Sequence, residues 1–386
     1  MRKLTILYLV LFMAFSAFSL TPLNARAEGD VPVFKVGHVG HDHQIALFVA
    51  ALEGDKYKEH GVWLKEKKKK EVYGLISKGT EIAELHLLKV GGGSRMPAAM
   101  ERGEIQIGFG GVAAVAFFRD KGDPFKIICP LQTEGDMLVV KKDLPVEDWD
   151  SFIKYLRKRD KPVRIGYKAP VAVAKLIFMA ALDEEGISHT TSEKKEEGAK
   201  VELVNLQGGK NMMPSLSAGT VDGFVMNQPQ VSLAKIKGVG KVVADLAHLP
   251  PKGNWIDHPC CCVATTDEMI GKHRSELKQF MRLIYVATHE INSDKEMAAK
   301  LTSEWTKLPI EVENDSLPTI EYVAEFRESW KKGMFVWRRI MDDLGKFKKE
   351  LKDKEDDEFW KLLVDETIMN EAVEEYKAER EDEEEE

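Results

Sequence analysis

Five positions recur in the same order 116 residues further along the chain, and this repeat constrains the fold more than any other feature. Each copy contains a glycine pair, a methionine, a single glycine and a branched apolar residue. An internal repeat of fixed spacing predicts two structurally similar halves. The first copy is Gly92, Gly93, Met96, Gly103 and Ile105, and the second is Gly208, Gly209, Met212, Gly219 and Val221.

The segments around each glycine pair predict alternating strands and helices. Both halves begin with a short apolar strand, 33–38 and 162–167, that ends in glycine and a ring side chain and precedes an apolar helix. Strands that alternate with helices form parallel sheets, which bind ligands beyond their carboxyl ends. A glycine pair there either shapes a turn or lets the backbone approach a ligand closely, and the equal spacing favours the second role. We expect an α/β protein with a ligand cleft between two lobes.

Two further strands, 137–140 and 261–264, predict that the chain passes twice between the halves. A double crossing inserts the second half into the first. Amphipathic helices after Lys272, with apolar residues at helical spacing, would then return to the first lobe. The predicted parts are 28–140 for the first lobe, 141–260 for the second, 261–340 for the helical return, and 341–386 for a charged helical extension with an acidic tail. That extension could dock a partner or enlarge the first lobe.

The N-terminal residues predict an export signal. A basic start, an apolar run from Leu4 to Leu20 and the small-residue site Ala25–Ala27 are the parts that such a signal needs. Serines interrupt the run, which is shorter than the roughly 20 apolar residues that span a bilayer. We expect cleavage after Ala27 and a periplasmic protein. A formal net charge of −8 argues against a nucleic-acid partner, because phosphate binding relies on clustered Lys and Arg.

Four stretches resemble the periplasmic solute-binding proteins of nitrate, sulfonate, taurine and bicarbonate ABC transporters. They are His43–Ala50, Gly91–Ser94, Gly103–Gly108 and Ile165–Tyr167, and the likeness extends to about Trp337. The resemblance implies a two-lobed type II periplasmic binding protein fold with a closing cleft. It also implies a small, anionic solute of the nitrate, sulfonate or bicarbonate kind, an ABC permease and its ATPase as partners, no cofactor and no catalysis.

The same resemblance implies which residues line the cleft. Asp42 has a local role in addition, since it stands where the N-cap of the following apolar helix belongs. Arg95, Lys168 and Lys210 could supply positive charge to an anion. The expected ligand-binding residues are His38, His41, His43, Gly92, Gly93, Ser94, Arg95, Gly111, Tyr167, Lys168, Gly208, Gly209, Asn211, Asn227 and Gln228.

Two clusters allow a different interpretation, metal binding. His38, His41 and His43 fall within six residues, and imidazole is a common ligand of transition metals. The second cluster, Cys260, Cys261 and Cys262, could bind metal, form a disulfide with Cys129 or pack as buried thiols. Strand alternation would direct Cys260 and Cys262 to one side.

The cysteine run also raises an enzyme hypothesis. It resembles the iron-binding Cys-Cys-Cys-Phe-Cys run of the fungal thiamine-pyrimidine synthase, but Ala264 replaces the last cysteine. Gly110 and Ala114 stand where that family has its reactive lysine and histidine, which argues against synthase activity. The resemblance to the synthase could still extend to a pyrimidine-like ligand or to a metal contact. Exported lobes also serve as sensors, although no signalling domain is recognisable in this sequence.

Overall fold

The computed structural model describes residues 31–92, 95–191 and 196–385, with side chains up to Asp382. The predicted export signal, 1–27, lies outside the described residues, as do two of the predicted cleft residues, Gly93 and Ser94.

The first lobe begins with six strands and three helices. They are β1 Val33–His38, α1 Ile45–Leu52, β2 Val62–Lys68, β3 Val72–Ser77, β4 Thr80–Lys89, α2 Arg95–Glu101, β5 Ile107–Gly111, α3 Val112–Lys121 and β6 Phe125–Glu134.

The second lobe follows as one continuous stretch of chain. Its elements are β7 Asp136–Lys141, α4 Trp149–Arg157, β8 Val163–Tyr167, α5 Val173–Glu184, β9 His189–Thr191, β10 Val201–Asn205, α6 Met212–Ser217, β11 Gly223–Asn227, α7 Gln230–Ile236 and β12 Gly240–Asp245.

The chain then returns to the first lobe. The returning elements are β13 Pro259–Thr266, α8 Asp267–Ser293, α9 Lys295–Thr306, α10 Ile310–Ser316, β14 Ile320–Tyr322, α11 Glu328–Asp343, α12 Asp356–Leu363 and α13 Thr367–Glu385.

Two sheets of the same plan confirm the predicted α/β fold of two similar lobes. Among the described residues the strand orders are β14-β6-β13-β5-β1-β4-β3-β2 and β12-β7-β11-β8-β10-β9. Each sheet contains a parallel triplet, β5-β1-β4 or β11-β8-β10. An antiparallel strand from a crossing, β13 or β7, lies beside each triplet. The carboxyl ends of both triplets therefore provide the two walls of a cleft.

Helix α1 anchors the first lobe. Its sequence, Ile-Ala-Leu-Phe-Val-Ala-Ala-Leu, is apolar on all sides, and seven of its eight residues are buried. A helix of this kind needs covering on every face. The returning helices α8 and α9 provide part of that cover, as the helical spacing of Phe280, Leu283, Ile284 and Ala287 predicts.

The crossings lie a few residues from the predicted boundaries. Residues 136–140, expected in the first lobe, belong to β7 and pair with β11 of the second sheet. The first crossing is therefore at Gly135, whose φ of +75° favours glycine. The return begins with β13 at Pro259 instead of residue 261.

The C-terminal extension is part of the first lobe. Helix α13 packs on α8 and buries Ile368, Met369, Ala372 and Val373, each at most 7% exposed. Of the two roles that the sequence left open, the described residues show enlargement of the first lobe. In the described part of the chain, no helix combines the length and the hydropathy that crossing a membrane requires.

Candidate functional site

A cavity of about 570 Å³ lies between the lobes, where the parallel strands end. The loops that follow β1, β4, β8 and β10 all contribute to its wall. The first lobe contributes Val39, Gly40, His41, Lys89, Val90, Gly91, Gly92 and Arg95, and the second contributes Lys168, Ala169, Pro170, Asn205, Gln207, Gly208, Gly209, Lys210, Met226, Gln228 and Gln230.

The charge of the cavity wall has one sign. Lys89 and Arg95 come from the first lobe, and Lys168 and Lys210 come from the second. None of the described lining residues is an aspartate or a glutamate. Clefts with one sign of charge concentrate ions of the opposite sign, so this wall favours an anion.

The second glycine pair forms the tight turn that the repeat predicts. Gly208 has a φ of +137°, a conformation that side chains disfavour. A Cβ on Gly209 would lie 2.6 Å from Cε of Met226, which also lines the cavity. Gly209 begins a 3-10 turn, Gly209–Asn211, that precedes α6, so the glycines do not open the α-helix directly.

His41, and not Asp42, caps the first turn of the cleft loop. The backbone N–H of His43 donates to Nδ1 of His41 over 3.2 Å. Burial and the charge on Lys168 lower the pKa of His41 well below its ordinary value, so its ring is neutral at pH 7. A neutral ring that accepts at Nδ1 carries its proton at Nε2, where it can donate.

The predicted N-cap role of Asp42 is wrong because its carboxyl group is buried against a second carboxyl group. It accepts a hydrogen bond from Ser316 Oγ and faces Glu313. Burial raises the pKa of both acids, and for Asp42 the charge on Glu313 adds to the effect. Neither Asp42 Oδ1 nor Glu313 Oε2 has a hydrogen-bond partner among the described residues. One proton shared between the two groups satisfies both.

Several predicted cleft residues support the wall without lining it. Tyr167 is 5% exposed, with the Lys175 ammonium 4.4 Å from its ring centroid. Asn227 accepts a hydrogen bond from Nζ of Lys168 and so positions a cationic group of the wall. Asn211 donates to the backbone oxygen of Leu206 over 2.6 Å. Gly111 is the N-cap residue of α3.

His38 is a core residue. Its ring packs edge-on against Phe48 and Trp305, with centroids 5.5 and 5.9 Å away. Burial, with a smaller contribution from Lys89, lowers its pKa to about 4. The neutral ring takes no part in the cavity wall, so the three predicted histidines do not act together.

Seven of the residues that the sequence predicts to bind the ligand lie in the cavity wall, namely His41, Gly92, Arg95, Lys168, Gly208, Gly209 and Gln228. The sequence prediction missed Lys89 at the end of β4 and Met226 at the end of β11. The signal that could have found both is their position at the carboxyl end of a predicted parallel strand. Gln230 offers no comparable signal, since it follows a strand by three residues.

The cysteine run meets His43 in a buried cluster. One potential ligand atom each of His43, Cys260 and Cys261 lies within 4.8 Å of the others. A β-bulge against β6 sets this arrangement, because Pro259 pairs with Thr133 while Cys261 pairs with the adjacent Gln132. The extra residue breaks strand alternation, so Cys261 and not Cys262 joins Cys260.

Of the alternatives that the sequence leaves open for the cysteines, the disulfide with Cys129 is not formed in this structure, where all four cysteines are free thiols. Cys129 donates to the backbone oxygen of Pro130 over 2.9 Å. Burial raises the pKa of Cys262 well above its ordinary value. Cys129 and Cys262 therefore correspond to the third interpretation, thiols that pack as small apolar groups.

An ion pair joins the two crossing segments near this cluster. Nε2 of His258 lies 3.4 Å from Oδ2 of Asp136, and both side chains are 1% exposed. Burial opposes both charges, yet the hydrogen bond between them raises the pKa of His258 and lowers that of Asp136. Breaking such a pair would leave one buried charge uncompensated, so it holds the crossings together.

A model of the NMT1-like family matches residues 31–305. The chain belongs to this family. An uncharacterised protein of Methanocaldococcus jannaschii is 32% identical to this NMT1-like chain over 144 residues, which are 37% of this chain and 98% of that protein.

Solved structures share the fold of this NMT1-like protein at low sequence identity. The zinc-bound ligand-binding component of an ABC-type import system from Staphylococcus aureus is 15% identical, with a TM-score of 0.67 over 88% of this chain and 99% of that one. The nitrate-binding protein NrtA of Synechocystis is 14% identical, with a TM-score of 0.65 over 89% of both chains. The alkanesulfonate-binding protein SsuA of Xanthomonas axonopodis, bound to MOPS, is 14% identical, with a TM-score of 0.61 over 83% of this chain and 96% of that one. The fold is therefore the type II periplasmic binding protein fold.

Proposed function

We propose that this NMT1-like protein is an exported, non-catalytic solute-binding protein. It captures a small organic anion of the sulfonate or carboxylate type and delivers it to the permease and ATPase of an ABC transporter. The observation that carries the proposal is the cavity wall, with two cationic side chains from each lobe and no carboxylate among its described residues. The predicted export signal, with a periplasmic location, and the solutes of the structural neighbours support the same function.

The size and apolar part of the wall favour an organic anion over a bare inorganic one. The cavity, at about 570 Å³, lies within the range of about 300–1,000 Å³ typical of sites for small organic ligands. Val39, Val90 and Met226 add apolar surface beside the cations. Nitrate or bicarbonate would leave most of this surface uncovered, whereas a sulfonate with an alkyl chain would cover it.

Binding from both sides provides the mechanism of closure. Without a solute, the cationic groups of the two lobes repel each other across the cleft. An anion that contacts Arg95 and Lys168 together replaces this repulsion by attraction, and this favours the closed form. A solute that contacts one lobe alone would not shift the equilibrium between open and closed forms.

The surroundings of three positions argue against the synthase alternative. A Cβ on Gly110 would lie 2.3 Å from Cε of Met96, so a lysine side chain there would have to displace the end of the Met96 side chain. Ala114 is 1% exposed inside the first lobe. Ala264, where the fungal run has its last cysteine, is buried and pairs with Gly108. The residues present do not fit the iron site of that enzyme.

The substitution Lys168→Met tests the role of the cationic wall. A hydrogen bond to a charged group contributes about 1.5–3 kcal/mol, so we expect Kd for an alkanesulfonate to rise about 10- to 100-fold. Isothermal titration calorimetry with alkanesulfonates, taurine, nitrate and bicarbonate measures the change and ranks the solutes. Lys154→Met, on an exposed face of α4, is the matched control and should leave Kd unchanged.

Small-angle X-ray scattering of the same samples tests closure. The radius of gyration should fall when the best anion saturates the wild-type protein. Equal Kd values for Lys168→Met and wild type would show that Lys168 does not contact the solute. Absence of binding and of closure with every anion of the panel would overturn the proposed function.

Replacing Gly209 by valine is expected to weaken solute binding without unfolding the lobe. The new Cβ would displace the methyl group of Met226, which lines the cavity, and the branched side chain would occupy the turn. We expect Kd to rise about 5- to 150-fold, because the displaced methyl group competes with the solute for the cavity and the overpacking cost of about 1–3 kcal/mol then falls on the solute-bound form. Gly271→Ala, with open space around its Cβ, serves as the control. Unchanged affinity of Gly209→Val would show that this turn does not contact the solute.

A further inference from the structure

The cavity between the lobes has more positive charge than one singly charged anion neutralises. Its cationic side chains are Lys89, Arg95, Lys168 and Lys210. Among the described residues, no carboxylate lies within ion-pair distance of any of the four. Unpaired cations in one cavity repel each other, so their arrangement points to the charge of the solute that they bind.

The two cations of the first lobe lie against different loops of the wall. A Cβ on Gly40, in the loop after β1, would lie 3.2 Å from Nζ of Lys89. A Cβ on Gly91, in the loop after β4, would lie 2.7 Å from Nη1 of Arg95. Both glycines line the cavity, and the two cationic groups take the space that a side chain would fill. This lobe therefore presents two separate positive charges to the solute.

One anionic group is enough for Arg95 and Lys168, which it bridges in the proposed function. Part of the charge on Lys168 is already offset from behind the wall. A hydrogen bond from Cys260 lowers the pKa of the Cys261 thiol to about 5, and Lys168 lies near the resulting thiolate. The buried carboxylate of Asp136 is also near Lys168, but it already belongs to the ion pair between the crossing segments. The bridging group therefore neutralises this part of the wall.

Lys89 and Lys210 then remain without an anionic partner. Lys89 has a second donor close to it, the ring of His41. Burial is the main cause of the low pKa of His41, and the charges on Lys168 and Lys89 add to it. The neutral ring carries its proton on Nε2, because Nδ1 accepts a hydrogen bond. Since Lys89 and His41 both line the cavity, an anionic group there would accept hydrogen bonds from both.

We propose that the solute is a dianion, with a second anionic group that binds Lys89 and His41. This inference rests on the proposed function and narrows its solute class to short dicarboxylates and sulfocarboxylates. The first anionic group bridges Arg95 and Lys168, and Lys210 adds attraction from the second lobe. Hydrogen bonds between charged groups are stronger than those between neutral groups, so the second group adds affinity as well as charge balance.

The apolar side chains of the wall suit the middle of such a solute. Val39 and Val90 come from the two cleft loops of the first lobe, and Met226 faces the cavity from the second. Methylene groups between the anionic ends would contact them. A solute of the same length with one anionic group would place a methyl group beside Lys89 and leave that charge without a partner in the closed cleft.

Matched pairs of solutes test the second anionic group. The pairs are succinate with butyrate, glutarate with valerate, and sulfoacetate with ethanesulfonate, and in each pair a carboxylate replaces the terminal methyl group. Isothermal titration calorimetry at pH 8 keeps both groups of each dianion ionised. We expect the best dianion to have a Kd about 10- to 100-fold below that of its singly charged partner. Lys89→Met should lower this ratio about tenfold, whereas Lys154→Met, the exposed control, should keep it.

Three results would overturn the inference. Equal Kd values within every pair would show that the solute needs one anionic group, and anion binding as proposed above would stand. An equal rise of both Kd values of a pair in Lys89→Met would show that the second group does not bind at Lys89. A wild-type protein that binds no member of any pair and no other anion would overturn the proposed function and this inference together.

Discussion

Ending the chain after Glu366 is expected to lower the free energy of unfolding of the first lobe by several kcal/mol. The truncation removes α13 and with it the buried side chains of Ile368 and Met369, both 0% exposed. Full burial of one such side chain contributes about 1.5–3 kcal/mol, and the face of α8 beneath it would be exposed in addition. The free energy of unfolding of a whole domain is only about 5–15 kcal/mol. Urea denaturation followed by tryptophan fluorescence measures the loss as a lower midpoint.

Charge adds to the effect of this truncation. Arg282 on α8, with a side chain 3% exposed, is paired with Glu375 and Glu379 of α13. Removing both acids leaves a buried cation without these partners. A chain that ends after Arg380 keeps the two acids and the apolar residues, so its midpoint should equal that of the full chain. Equal midpoints for both truncations would show that α13 adds nothing to the stability of the first lobe.

Asp42→Asn is expected to make the protein more stable above neutral pH. The Asn side chain can donate to Glu313 and accept from Ser316, so the pair no longer needs a shared proton. In the wild type, burial raises the pKa of both acids above their unfolded values of about 4. The stability contribution of the pair is complete below that value and is lost as pH rises through the folded pKa.

The pH profile provides the measurement. One proton retained only in the folded state lowers the free energy of unfolding by about 1.4 kcal/mol per pH unit between the unfolded and folded pKa values. Urea denaturation from pH 4 to pH 9 should show this slope in the wild type and a flatter profile in Asp42→Asn. Glu311→Gln changes an exposed residue of α10, the helix that contains Glu313, and its pH profile should match that of the wild type. A wild-type profile without this slope would contradict the shared proton.

Much of the fold follows from the sequence because each strand and helix of the repeat carries its own signal. The glycine pairs, the apolar runs and the spacing of 116 predict two similar sheets, and the strand orders confirm them. The crossings were harder to locate. Residues 136–140 are apolar enough for either sheet, and only the pairing of β7 with β11 decides between them.

The site was less predictable, since its geometry depends on contacts distant in sequence. Asp42 has the local signature of an N-cap, yet a carboxyl group 271 residues later determines its environment. Strand alternation predicted Cys260 and Cys262 on one side, whereas a bulge that involves β6 brings Cys261 there instead. Neither partner segment can be identified from the residues around it.

The two ends of the second lobe lie side by side. The backbone N–H of Glu134 donates to the oxygen of His258 over 3.2 Å, and its Oε1 accepts from the backbone N–H of Asp257 over 3.0 Å. Residues 136–258 therefore form an insert, here called a cassette, whose two ends meet the first lobe at the same place. A chimaera could take this cassette from a relative and keep the rest of the chain, so that recombination at a single locus changes half of the cleft in one step.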